Sequence, residues 1–494
     1  MFLDGQLNGD PRGETFLNIE IAHSNAMPAD STAAECRLSN NSKSNETDRA
    51  RQKNRTRRRF LTVAGSTVVG FAGCSGNQED GGDQDQSTSE PKTADEISVL
   101  AVTGEGELFQ RLIDERIQDE TGVNVSVSLF PYNNLQEKIN SITRAQNQSF
   151  DVFFMDDPWF PRFASDLDPI TKWTDDIPWD KFIQTTVDIV TWPPTKGPVV
   201  PSAQGQEPKR KGLVMVGNTQ LYVYNTKHFE QVSEERPETW DDVLRAGKKI
   251  KDQVEDTSGY VIRGKRGNPI NANFFSLGMS RAGDMFSEEW EYRWDESQGV
   301  DTLDFYVNDL KDVSSDGVSS FDSDQVLQRI GNGTASQSPA WPAVSSLLLN
   351  PDEAEEAENL EFIPIPEGVR RAPLQGNWIA GINKHSDDAK KRAAGKVLSE
   401  FVSKESQERY VEVGGVPFRR DTFQDNMDAQ PWFPALFESL QTAQWRPRTP
   451  LWTEVALTQG EWFNTALTDE ATPEEAMTAI NDEVEQLLEN DDYL

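Results

Sequence analysis

Between residues 97 and 155 the chain alternates between a two-residue and a 3.6-residue apolar rhythm, and this restricts its fold more than any other feature. Ile97 to Val102 is a short β-rich run. Leu108, Phe109, Leu112, Ile113 and Ile117 then recur as one face of a helix. Val123, Val125, Val127 and Leu129 alternate as a strand does, and Leu135, Ile139 and Ile142 stripe a second helix within 132–146. Asp151-Val152-Phe153-Phe154-Met155 is almost continuously apolar, as a strand covered on both faces requires. Strand, helix, strand, helix, strand predicts βαβ units and a mostly parallel sheet. Ligands of such sheets gather beyond the carboxyl ends of the strands. Two segments reach that edge: Thr103-Gly104-Glu105 and Asp156-Asp157-Pro158-Trp159.

Upstream, residues 51–74 read as an export address. Six cations between Arg51 and Arg59 precede an uncharged run from Phe60 to Gly73. That run is shorter than the roughly 20 residues a helix needs to cross a bilayer. A basic flank, a short apolar stretch and a small-residue exit make the pattern of a secretion signal. Thr56 to Leu61, centred on Arg57 and Arg58, resembles the twin-arginine motif, and Phe71-Ala72-Gly73-Cys74 resembles a lipobox. Cys36 and Cys74 are the two cysteines, so cleavage before Cys74 leaves one thiol, placed to carry a lipid. Residues 75–95 are polar and Gly-, Ser- and Asp-rich, the composition of a tether. Residues 1–50 form a leader extension with no legible element.

Charge narrows the function classes. Of 48 Lys+Arg and 83 Asp+Glu, residues 1–73 hold 10 and 8, leaving 38 and 75, a balance of −37, for residues 74–494. Such a body repels nucleic-acid phosphates and anionic lipid. Its 13 Trp and 25 Phe nevertheless supply a core, which a charge-dominated disordered chain lacks. Self-repulsion of this size is cheap in concentrated salt, where the Debye length is about 3 Å at 1 M, which predicts a salt-loving host. Three histidines, one of them in the leader, do not suit a His-rich zinc site or a Ser-His-Asp triad. A Gly-x-Ser-x-Gly elbow and a P-loop are both absent from the sequence. No cofactor and no enzymatic activity are expected.

Six short segments in order then resemble one family, the maltose-binding-like extracellular solute-binding proteins of ABC importers. They are Phe150 to Asp156, Gly212 to Asn225, Pro237 to Val243, Gly376 to Ala380, Gly414 to Pro417 and Thr472 to Ala476. The resemblance runs from about residue 96 to 490. It implies an α/β, two-lobed periplasmic-binding-protein-like fold, each lobe a mostly parallel sheet flanked by helices and joined by hinge strands. Lobe one would begin with 96–205 and lobe two with 206–360. The chain would return to lobe one over 361–420, and 421–494 would complete both. Val199 to Gln206 with Leu213 to Tyr224 would carry the outward crossing, and Glu361 to Pro366 the return. Two further helices are expected: one at 387–402, and one opened by Thr472, Pro473 and Glu475 as a capping box.

A sugar asks for carboxylates and amides around its hydroxyls and for flat aromatic rings against its faces. The resemblance places Asp156, Trp341, Trp378 and Arg446 in the cleft, with Glu105, Asp157, Trp159, Asn377 and Trp452 as further candidates. Asn218 stands where the family often has Asp. The expected protein is a monomeric, lipid-anchored sugar binder on the outer face of the membrane. It would serve permease subunits powered by a separate ATPase. The alternatives are a binder of a glycerol phosphate ester or a peptide, for which Arg446, Arg448 and Arg266 are the candidate cations, and a secreted glycoside hydrolase using paired carboxylates.

Overall fold

A computed structural model describes residues 92–494. Residues 1–50, the export segment with Arg57, Arg58 and Cys74, and most of the tether lie outside the described residues. Eight strands of four or more residues carry the architecture: β1 (Glu96–Val102), β2 (Asn124–Phe130), β3 (Val152–Asp156), β4 (Leu213–Val216), β5 (Leu221–Asn225), β6 (Gln337–Ala340), β7 (Leu360–Pro364) and β8 (Trp378–Ile382). The first sheet has the order β2-β1-β3-β8-β4. Strands β2, β1 and β3 are parallel, and β8 runs antiparallel to both of its neighbours. The second sheet, β6-β5-β7, is antiparallel throughout. Isolated parallel bridges, Ser258 to Ala335 and Tyr260 to Ser314, extend it.

The expected α/β class with two sheets is therefore observed, and the expected parallel core is β2-β1-β3. The second sheet departs from the mostly parallel expectation. All of Leu221–Asn225 is buried, and a strand covered on both faces carries the same apolar pattern whichever way its neighbours run.

Helices cover both sheets. Helix α1 (Glu105–Leu112) continues through a π-helical turn at Ile113–Ile117 and ends at Gly122, which is left-handed at φ 65°. It is followed by α2 (Tyr132–Arg144), α3 (Trp240–Gln253), α4 (Asn268–Arg281) and α5 (Pro342–Leu348). Helix α6 (Asp388–Phe401), capped by the Asp387 carboxylate, packs on β1 and β8. Helix α7 (Trp452–Leu467) packs on α4 and on α8 (Pro473–Asn490). The capping box forms as expected: Thr472 accepts from the Glu475 N–H and Glu475 accepts from the Thr472 N–H. Among the described residues no helix is long and apolar enough to cross a membrane.

The chain changes sheets at two places. It leaves the first sheet after Val216 and enters the second at Leu221; it leaves the second after Pro364 and rejoins the first at Trp378. Outward and return segments pair antiparallel: the Gln220 N–H donates to Leu374 O at 2.8 Å, and the Gly376 N–H to Asn218 O at 3.0 Å. A third segment lies beside them, its Gln444 accepting from the Gln375 N–H and donating to Pro373 O, each at 2.8 Å.

Candidate functional site

The end of β3 meets these crossings, and the register there decides which side chains share a face. Asp156, the last residue of β3, pairs directly with Trp378, the first of β8. Directly paired residues project to the same face, and their neighbours to the opposite one. Asp156 and Trp378 therefore share one face. Asp157, whose N–H donates to Asn377 O at 3.0 Å, turns with Asn377 to the other. The two carboxylates that stand side by side in sequence belong to different surroundings.

On the first face the Tyr132 hydroxyl donates to Asp156 Oδ2 at 2.7 Å. The rings of Tyr132, Trp159 and Trp378 close around this carboxylate. Tyr132 lies 4.6 Å from Trp159 and 6.1 Å from Trp378, and the two indoles stand 6.0 Å apart at 90°. Edge-to-face arrangements of this kind are the favoured ones for aromatic pairs. Glu105, at the start of α1, faces the Trp378 indole. Burial holds the Glu105 carboxyl above its usual range, and the nearby Asp156 charge adds to that. Asp156 is likewise raised by burial, against the field of Arg446 and the hydrogen bond from Tyr132.

The second sheet contributes the opposite wall. Trp341, which caps α5 after β6, lies over Gly376 so closely that a Cβ there would come within 2.6 Å of its ring and 3.3 Å of Asn218 Nδ2. Glycine is needed here for close approach. Gly376→Ala is expected to displace Trp341 and Asn218 together, lowering stability by about 1–3 kcal/mol as overpacking does. Thermal melts and Trp fluorescence would read both effects.

On the second face, Asp157 is fully buried and neither carboxylate oxygen has a hydrogen-bond partner. The Arg446 guanidinium approaches Asp157 Oδ1 at 3.7 Å while donating to Gln375 O at 3.2 Å. Arg448 donates to Asp157 O and Ile189 O, each at 2.8 Å, and burial lowers its pKa to about 10. Asn377 Oδ1 accepts from the Asn218 N–H at 3.1 Å. Gln375, Asn377, Asn218 and Asp157 supply six of the eleven buried, unpartnered side-chain atoms among the described residues, so orphaned polarity is concentrated at the crossings.

Burial raises the Asp157 carboxyl to about 7, against the Arg446 field and with the Asp156 charge adding to the rise. The folded protein thus holds a proton that the unfolded chain releases near the usual Asp value. The resulting stability is fully present below about pH 4, declines as pH rises, and is gone above about 7. In Asp157→Asn the melting temperature should fall less than in the wild type between pH 4 and 8; parallel curves would refute this assignment.

Trp452 packs its ring against Phe275 of α4 at 6.1 Å. Tyr132 was missed from the sequence, although its position just past the carboxyl end of β2 was a usable signal. Nothing in the sequence distinguishes Gln375 from any loop glutamine. A cavity of about 350 Å³ opens among Lys196, Met285, Phe286, Trp445 and Arg448, and neither Asp156 nor Trp378 lines it. Among the described residues no group of three or more His, Cys, Asp or Glu side chains converges as a metal site.

Three kinds of similarity accompany this geometry. The profile of a family described as bacterial extracellular solute-binding protein matches residues 101–408. A protein of Sinorhizobium fredii, described as a probable amino-acid ABC transporter periplasmic-binding protein, y4oP, is 26% identical over 422 residues, covering 83% of this chain and 94% of its own. Among solved structures, maltose-bound MalE3 of T. maritima aligns at TM-score 0.68 and 25% identity, covering 80% of this chain and all of that one. A solute-binding protein of Agrobacterium vitis with bound D-mannitol aligns at TM-score 0.65 and 20% identity, covering 80% and 99%. At that identity the latter speaks for the fold alone.

Proposed function

Because the chain belongs to the bacterial extracellular solute-binding protein family, whose members are non-enzymatic components of ABC transporters, we propose that it captures a sugar or polyol and delivers it to a membrane permease. The observation that carries this reading is the face built from Asp156, Glu105, Tyr132, Trp159 and Trp378, with Trp341 and Asn218 opposite. Carboxylates and an amide beside flat rings suit a ligand with many hydroxyls and apolar ring faces. Contacts from both sheets favour the closed arrangement of the lobes, so ligand draws that equilibrium toward closure. Arg446 and Arg448 already donate to backbone carbonyls, and Arg266 is engaged by Asn464 and Glu461. All three cations that a phosphate ester would need are thus committed elsewhere.

The same proposal includes export through the Arg57-Arg58 motif, lipid attachment at Cys74 and action as a monomer outside a cell in strong salt. Loss of lipid-precursor labelling in Cys74→Ser tests the anchor. For the ligand, thermal shift in molar salt against maltose, D-mannitol and ribitol is the first screen. Stabilisation without turnover is the expected result. Release of product from an oligosaccharide would overturn the reading.

A further inference from the structure

The site's hydrogen-bonding groups are unevenly divided between acceptors and donors. Its acceptors are the carboxylates of Glu105 and Asp156 and the amide oxygen of Asn218. That oxygen is unpartnered on a residue only 9% exposed. Asp156 receives the Tyr132 hydroxyl and the Asp157 N–H, and among the described residues neither Glu105 nor Asp156 forms an ion pair with a cation. The Tyr132 hydroxyl is already spent on Asp156, which leaves the indole N–H groups of this face and the Asn218 amide N–H2 opposite as the side-chain donors. Arg446 and Arg448 lie with Asp157 and donate to the carbonyls of Gln375, Asp157 and Ile189, although the Arg446 field reaches Asp156.

A hydroxyl brings one donor and two acceptor lone pairs, whereas an ammonium brings three donors and no acceptor. We propose that the solute carries a protonated amine on its sugar or polyol frame, seated between Glu105 and Asp156 against the rings of Tyr132, Trp159 and Trp378. The aromatic faces add cation–π attraction to the carboxylates. Burial that raises both carboxyls is relieved when a cation joins them. This inference rests on the sugar or polyol reading above and narrows it.

Matched pairs separate the two. Isothermal titration at pH 7 would compare D-glucose with D-glucosamine, D-galactose with D-galactosamine, and D-sorbitol with 1-amino-1-deoxy-D-sorbitol. N-acetyl-D-glucosamine serves as the uncharged control. The expected result is an amino member bound at least tenfold more tightly than its neutral partner. Glu105→Gln should shrink that preference to about threefold or less, with an unliganded melting temperature at pH 7 no lower than that of the wild type. Neutral members binding as tightly as the amines would overturn this inference and leave the sugar reading standing. Binding of neither series would overturn the sugar reading itself. A preference that survives in both Glu105→Gln and Asp156→Asn would also overturn the inference.

Discussion

Arg446→Leu is expected to destabilise the protein by about 3–5 kcal/mol, the usual cost of removing one partner from a buried charge pair. The guanidinium is 5% exposed and is the nearest cation to a carboxylate with no hydrogen bond of its own. Its loss also frees the Gln375 carbonyl at the return crossing. The penalty should depend on pH. Below about pH 6 Asp157 carries its proton and tolerates the change; above about 7 it is ionised, and the cost is largest. Adding Asp157→Leu should recover most of the loss, because replacing a whole buried pair with apolar groups is often neutral. Urea melts at pH 5.5 and 8 would check it. A double variant no more stable than Arg446→Leu alone would show that the pair is not the coupled unit.

Trp378→Ala should weaken ligand binding by about 30-fold or more, the scale of a well-buried aromatic anchor. Trp378 is 5% exposed and touches Tyr132, Trp159 and Glu105 at once. Removing it takes away the ligand's flat surface and loosens Tyr132, which donates to Asp156. The same substitution should cost about 3–5 kcal/mol of stability, as large-to-small changes of buried Trp do. Trp378→Phe is therefore the informative companion: it keeps much of the packing and loses the indole N–H that faces Glu105. Calorimetry on both, with the unliganded melts beside it, separates binding from folding. Wild-type affinity in Trp378→Ala would remove this ring from the site.

Acid surface and ligand chemistry are separate matters in this chain. The acids that dominate its charge lie largely at solvated positions, in ion pairs such as Arg409 with Glu115 and Lys404 with Asp425. Exposed pairs of this kind contribute little each and are screened by salt. The acids proposed for recognition, Glu105 and Asp156, are instead held above their usual range by burial.

Local sequence determined the elements. Apolar rhythm set β1, α1, β2, α2 and β3 to within a few residues, and the Thr472 capping box set the start of α8, because helices, strands and caps are written in contiguous residues. The acid after β3 was legible for the same reason: the carboxyl edge of a parallel sheet follows from strand order. Tertiary structure alone decided how the site divides. Asp156 and Asp157 are neighbours in sequence, yet one joins Trp378 and Tyr132 and the other joins Arg446 and Asn377. That split depends on the register of β3 against β8, a pairing between distant segments in which a slip of one residue exchanges the faces. Gln375 likewise joins this group only because the crossings bring distant segments together beside Gly376.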